Sequence, residues 1–433
     1  MMTEPDGFLG AVLAAQGCGL KAMINGPGGC RSRTVNLYRE LSVEYSGEES
    51  GCCRSKYMSR QSNIPCTYLN SDDMILGSGN KISDGLSSVA SATDKDIVLI
   101  DTLGASVQVT DMEAAVKRSG TEDRVILTEG DLSGLSLAEG FDRTVRSVME
   151  RTGLASGERK NSVAILGYSL ADSSWLYGKR NISEMLALLG ITDVVFVGCG
   201  SDKEAIRKAG TCSASISIHP EMSTLTAEYL SDMGVRNITP RVGSPIGYPS
   251  MRSFVTQVSD ALGLSPDTAL HAVDEEEKAV KRILNNCDKD IRGFRGQLMT
   301  LEAIPSDLLP LMEWMYDMFS LVPGSVRYRF TKTSPYDERI SSFLDAVGCS
   351  GALGAEADPL ATHAVFSDGL SARLYSMEHP HASCVEIGMP YSRKTELTDK
   401  SLVGFGGARY LLDSLVNGIG RFSCGQPTMA DFR

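Results

Sequence analysis

Short apolar runs recur along the chain with amphipathic stretches between them. Residues 97–100 (Ile-Val-Leu-Ile) follow a charged turn and are apolar throughout, as expected for a parallel strand buried on both faces. Residues 124–127 form a second such run, and residues 141–152 carry apolar positions at helical spacing. The polar, glycine-bearing stretch 153–161 reads as a linker. A new unit then begins with a strand at 162–167, followed by a helix at 181–189 closed by Gly190 as C-cap. A strand at 193–197, a helix at 203–208, a strand at 213–218 and a helix at 224–233 complete it, with Ser223 as the N-cap of the last.

Residues 273–286 place charges on one face and apolar side chains at helical spacing, which predicts a long linking helix. Beyond it, strands are expected near 297–301, 325–330 and 385–387, then a closing helix at 407–417. The polar end, 423–433, is expected to fray. This strand–helix–strand rhythm predicts an α/β fold of doubly wound parallel sheets. The expected division is 1–155, 156–272 and 273–421, with 422–433 as a tail.

Composition agrees with this division. At 433 residues the chain exceeds one ordinary core. The apolar fraction of 42% and charged fraction of 22% are those of a globular chain. The net charge is −12 and no long Lys/Arg run occurs, which argues against nucleic acid or an anionic membrane as partner. No apolar run reaches the roughly 18 residues that span a bilayer. The first six residues lack the basic-then-apolar order of a signal peptide, so a cytoplasmic protein is expected.

The eleven cysteines are sparse and irregularly spaced, and no Cys-x-x-Cys occurs. This is neither a disulfide framework nor a zinc knuckle. Five of them (Cys18, Cys30, Cys52, Cys53, Cys66) fall in the first 66 residues, and the rest read as structural. Cys30 closes the run Asn25-Gly26-Pro27-Gly28-Gly29-Cys30, so it sits at a glycine-rich turn. A thiol displayed there can bind a soft metal ion or an iron–sulfur cluster; the alternative is a small packed hydrophobe. Phosphate chemistry is not indicated. No P-loop occurs, and Gly77-Ser78-Gly79-Asn80-Lys81 reads as a turn and helix start. No Gly-x-Ser-x-Gly elbow marks a hydrolase.

Several blocks together resemble component 1 of nitrogenase and its relatives, nearest the β chain of the molybdenum–iron protein. They are Asp6-Gly7-Phe8-Leu9-Gly10-Ala11, Gly26-Pro27-Gly28-Gly29-Cys30, Leu69-Asn70-Ser71-Asp72-Asp73 through Gly77, and Ser244-Pro245-Ile246-Gly247 with Phe254. Ile387-Gly388-Met389-Pro390 and Gly404-Phe405-Gly406-Gly407-Ala408 close the series. The resemblance implies three Rossmann-like domains around a central cleft. It also implies an oxygen-sensitive 4Fe-4S-type iron–sulfur cluster at a subunit interface. The expected assembly is a homodimer, or a heterotetramer with a sister component 1 subunit, served by an ATP-hydrolysing iron protein.

In the same alignment Cys30 matches the second of the family's three cluster cysteines. The first falls on Asp6, a possible oxygen ligand. The third belongs in the loop Asp101-Thr102-Leu103-Gly104, which has no thiol. Cys66, Cys18 or a partner chain's thiols are the candidates to complete the set. Arg31 and Arg33 are placed to hold an anionic cluster or substrate, or are simply surface residues. The cofactor cysteine of the nitrogenase α chain aligns with Pro220, so no molybdenum cofactor is expected. His219, at a strand end just before it, is a candidate to face the cleft or else a structural histidine. His379 and His381 read as a solvated loop. The implied function is that of a nitrogenase-like reductase subunit passing electrons to a substrate in the cleft. The alternative is a non-catalytic partner or scaffold for assembly of a metallocofactor, or a tetrapyrrole-binding component.

Overall fold

The computed structural model describes residues 6–41, 64–108, 110–128, 132, 134–286, 291–358, 360–392 and 397–423. Cys52, Cys53, Cys287 and the expected tail from residue 424 lie outside the described residues. Eleven strands form three sheets among the described residues. The first holds β1 (Lys21–Asn25), β2 (Ile97–Asp101) and β3 (Val125–Leu127) in that order. The second holds β4 (Lys160–Leu166), β5 (Asp193–Phe196), β6 (Cys212–Ser217) and β7 (Arg236–Ile238), in the order β5-β4-β6-β7. The third holds β8 (Leu298–Ala303), β9 (Val322–Tyr328), β10 (Thr362–Asp368) and β11 (Ser383–Gly388), in the order β11-β10-β8-β9. Every pairing is parallel. The chain is thus the three-unit α/β architecture expected from its pattern.

Strands β7 and β10 have no counterpart among the expected elements. β7 is only three residues long. β10 reads Thr-His-Ala-Val-Phe-Ser-Asp and has only three consecutive apolar residues, yet it is interior in its sheet. Its polar carboxyl end is hydrogen-bonded: Ser367 Oγ donates to Glu302 and Asp368 accepts from Arg329. The helix expected at 141–152 starts earlier, at Leu137, because Ser136 and Glu139 form a reciprocal capping box.

Helix α1 (Gly7–Gly17) is buried along almost its whole length and crosses the helix Leu137–Thr152 at backbone contact. A Cβ on Gly10 would lie 2.1 Å from the Leu137 carbonyl oxygen, and one on Gly140 would lie 2.1 Å from that of Gly7. The Leu-Gly-Ala segment is therefore a packing signal as well as a family mark. From the same helix, buried Asp142 accepts the N–H groups of Leu225 at 2.7 Å and Thr226 at 3.0 Å, which ties the first unit to the second.

The second and third units meet through Ser244 N to Ser306 O at 2.7 Å and Tyr391 Oη to Ala171 O at 2.7 Å. The linking helix spans Asp267–Asn285. Its charged face is engaged: Arg252 pairs with Asp274 and Glu277, and Arg409 holds Glu276 by two bonds of 2.6 and 2.7 Å. The carboxyl ends of the second and third sheets face one another, which is where ligands gather in parallel α/β folds. No helix among the described residues is long and apolar enough to cross a membrane.

Candidate functional site

Two places concentrate chemistry. The first is the turn between β1 and helix α2 (Gly28–Leu41), with Cys30 in the first turn of the helix. Segment 65–69 runs along β1: Ile24 N donates to Pro65 O, Thr67 N to Ile24 O, and Leu69 N to Gly26 O. This pairing brings Cys66 beside the turn, where its Sγ lies 3.2 Å from Gly26 O. Cys30 and Cys66 thus belong to the same turn. Burial raises the Cys66 pKa, the Cys30 charge adds to that, and Arg31 opposes it.

Loop 101–104 closes the other side. Thr102 Oγ1 donates to Asn25 O at 3.1 Å, and a Cβ on Gly26 would lie 2.1 Å from that same Oγ1. Only glycine lets the turn approach the loop so closely. A Cβ on Gly104 would lie 3.5 Å from Cys30 Sγ, so the thiol-free loop does face Cys30.

The other candidates divide. Arg31 donates from Nε to Ile64 O at 3.2 Å, lies 5.4 Å above the Tyr68 ring and acts on the Cys66 thiol. Asp6 caps α1 through Leu9 N and pairs with Arg33 at 2.5 Å, so both its oxygens are engaged one helical turn from Cys30. Cys18 is not brought to the turn. It lies at the C-cap of α1, at the other end of β1, fully buried, with its thiol pushed up to about 12 by burial. Around the turn, Tyr68, Ile75, Leu76, Leu103 and Val107 are large apolar side chains exposed to solvent, Leu76 at 85% and Val107 at 73%.

The second place is the cleft between the second and third sheets, and His219 belongs here. It follows β6 at the strand's carboxyl end and is 1% exposed. Its Nε2 is 2.7 Å from Asp172 Oδ1, and its Nδ1 is 2.8 Å from Ser306 Oγ and 3.6 Å from Asp307 Oδ1. Tyr168 stacks on the ring at 6.1 Å between centroids. Burial pulls the imidazole pKa down, but Asp307 and Asp172 outweigh it and push it up to about 10. Burial also raises the Asp307 pKa, to about 6, while His219 opposes that shift.

Across the cleft Arg329 pairs with Asp368 at 2.7 Å, with Glu302 beside it at 3.9 Å. The room left between them is narrow, about 40 Å³, enough for a few waters. Asp172, Asp307, Glu302, Arg329 and Asp368 were not singled out in the sequence. A signal existed. Asp172 lies just after β4, Asp307 in the first turn of the helix after β8, and Asp368 at the end of β10, all at strand carboxyl ends.

Comparison with known proteins agrees with the architecture. The sequence model of the family described as "Nitrogenase component 1 type Oxidoreductase" matches residues 7–315. The solved structure "Nitrogenase Cp1 at pH 6.5" is similar at a TM-score of 0.79 and 16% identity, covering 99% of this chain and 95% of its own. A second, "Nitrogenase Cp1 at pH 5", gives 0.68 at 14% identity, with 97% and 89% covered. At these identities the likeness is one of fold. Among curated proteins no sequence matches significantly.

Proposed function

This chain belongs to the nitrogenase component 1 type oxidoreductase family, and from that premise we propose that it is one subunit of a two-component reductase. An ATP-hydrolysing iron protein delivers electrons, a cluster at the Cys30 turn receives them, and a substrate in the cleft beside His219 is reduced. The observation that carries this reading is the convergence of Cys30 and Cys66 at a partly exposed turn rimmed by exposed apolar side chains.

The donor set fits a metal cluster in part. Thiolates are the usual ligands of iron–sulfur clusters, generally four to a cluster, and the described residues bring two to one place. A partner subunit across the apolar rim supplies the others. Asp6 joins only by giving up Arg33 or the α1 cap. A bound cluster supplies one-electron transfer. The chain's own part is to hold two thiolates, to offset their charge with Arg31, and to keep the 101–104 loop packed against them. In the cleft, His219 and the carboxyls around it hold protons that a reduction consumes. On this reading the protein works in the cytoplasm, in anaerobic conditions, as a homodimer or with a sister component 1 subunit.

A second reading is a cluster-free partner or cofactor scaffold, and the thiol-free loop 101–104 favours it. Iron and acid-labile sulfide in anaerobically purified protein decide between them. The reductase reading expects both, with the visible absorbance bleached in Cys30→Ala and weakened in Cys66→Ala. Protein without iron, alone and with its partner subunit, would overturn the reductase reading in favour of the scaffold.

A further inference from the structure

The five histidines of the chain are unevenly placed. His219 belongs to the cleft. His363, His379 and His381 gather at the amino ends of β10 and β11, whereas the cleft is lined by Asp368 and Gly388 at the carboxyl ends of those strands. The pairing of β10 with β11, which sets Ala364 beside Ser383, brings His363 next to the turn 379–382. Ala382 N closes that turn by donating to His379 O at 3.1 Å, and Pro380 fixes φ at its second position. His381 is thereby held exposed beside His363, with ring centroids 5.2 Å apart. His379 lies 6.0 Å from His381 and packs against the Tyr375 ring at 4.6 Å. The turn is solvent-facing, as its sequence suggested, but β10 adds a third imidazole that the sequence did not place there.

We propose that His363 and His381 chelate one divalent ion of the zinc(II) or nickel(II) kind at the amino end of the third sheet. His363 Nδ1 lies 3.0 Å from Ala361 O, so it is the N–H donor and Nε2 is left as an acceptor. A backbone carbonyl on one ring nitrogen is the usual second partner of a metal-ligating histidine. With metal–nitrogen bonds of about 2.1 Å and a near-tetrahedral angle, two imidazoles keep their centroids roughly 5 Å apart. The pair His363 and His381 meets that separation. The pair His379 and His381 is wider, so His379 stands at the rim of the site and joins only when its ring turns off Tyr375. Water takes the remaining positions, as at open zinc sites. Glu378, with an oxygen 4.0 Å from His379 Nε2, adds a negative charge nearby. Imidazole donors without thiolate suit zinc or nickel rather than calcium or magnesium. The ion ties the exposed turn to β10, an interior strand, and so fastens β11 at the sheet's edge. The site is apart from both the Cys30 turn and the cleft, and it does not rest on the reductase reading.

The test uses the full, untagged chain with nitrogen-15 in its histidines, freed of metal by a chelator and kept anaerobic. Zinc(II) chloride is added while the five imidazoles are followed by NMR. The His363 and His381 signals should move together with one saturation curve, while those of His219 and His271 stay in place. Zinc should also raise the denaturation midpoint of the wild type, because an ion that binds only the folded chain stabilises it. His363→Gln and His381→Gln should each weaken binding by at least about 10-fold, the lower range for losing even an outer-shell partner, and His379→Gln should weaken it less. Circular dichroism confirms that each variant is folded, and the exposed His381 carries the test if His363→Gln is not. The Cys30→Ala/Cys66→Ala double variant should show the same imidazole shifts. The proposal is overturned if zinc moves neither signal, or if His381→Gln leaves the His363 response unchanged. It is equally overturned if all exposed imidazoles respond alike and only to a large excess of zinc, which is adventitious binding. Iron-free protein that shows the expected shifts would defeat the cluster reading and uphold the histidine site.

Discussion

At the scale of single residues, neighbours decide what each cysteine is for. Cys18 and Cys30 are twelve positions apart in the sequence, and a count of thiols treats them alike. One is sealed beneath α1 and resists ionisation; the other opens a helix at the surface. The reading of Cys30 as displayed came from its glycine-rich turn, and that signal is local. Its pairing with Cys66 depends on segment 65–69 lying along β1, and its contact with Gly104 depends on the β1–β2 pairing. Neither is written near Cys30. The same distance hid Asp172 and Asp307, which are 135 positions apart and meet only through the imidazole of His219. Gly26 provides a sharp test of the turn. Gly26→Ala should destabilise the protein by about 1–3 kcal/mol, as overpacking does, because its Cβ meets Thr102 Oγ1. Adding Thr102→Ala should recover most of that loss in chemical denaturation, a coupling that a double-mutant cycle measures. Strictly additive losses would show that the contact is not the cause.

At the scale of elements, the expected strands were legible in two ways: 97–100, 163–166 and 194–197 are runs of four apolar residues, while 213–218 and 325–330 alternate polar and apolar positions. Neither pattern needs a partner to be read. β10 was hidden because its ends are polar and its hydrogen bonds are made to Glu302 and Arg329 in another part of the chain. The linking helix Asp267–Asn285 was legible as a helix, but not the use of its charged face. Glu277 receives Arg252 and Lys281. Burial raises its pKa, but those two cations outweigh burial and hold it below the ordinary glutamate value of 4.5. The sign follows. A carboxyl depressed in the folded state adds stability above its unfolded pKa and loses it as pH falls through the folded value. Glu277→Gln should therefore lower stability at pH 7 by about 0.5–1 kcal/mol, a modest figure because Arg252 and Lys281 are partly solvated. Denaturant melts of the two proteins should converge as pH falls below about 4. A gap that stays constant with pH would mean that Glu277 contributes through packing alone.

At the scale of the whole molecule, the cleft between the second and third sheets sets charged groups in a mostly apolar lining. Among the described residues a second feature is a patch of exposed apolar side chains around the Cys30 turn. The helix Ser71–Leu76 and the helix Leu103–Ser106 present Ile75, Leu76 and Leu103 there, with Val107 just beyond. Gln108 Nε2 joins the two by donating to Asp73 O at 2.6 Å, so the patch is a single surface. Exposed apolar side chains clustered in this way mark an interface, and the proposed cluster would be shared there, because the described residues bring two thiols to the turn and a cluster usually takes four. Leu76→Asp and Val107→Asp, which touch neither thiol, should together shift the sedimentation velocity of the protein from oligomer to monomer. Iron content should fall with the oligomer although Cys30 and Cys66 are intact. Loss of the oligomer with iron retained would place the cluster within one chain; an unchanged oligomer would place the interface on another face.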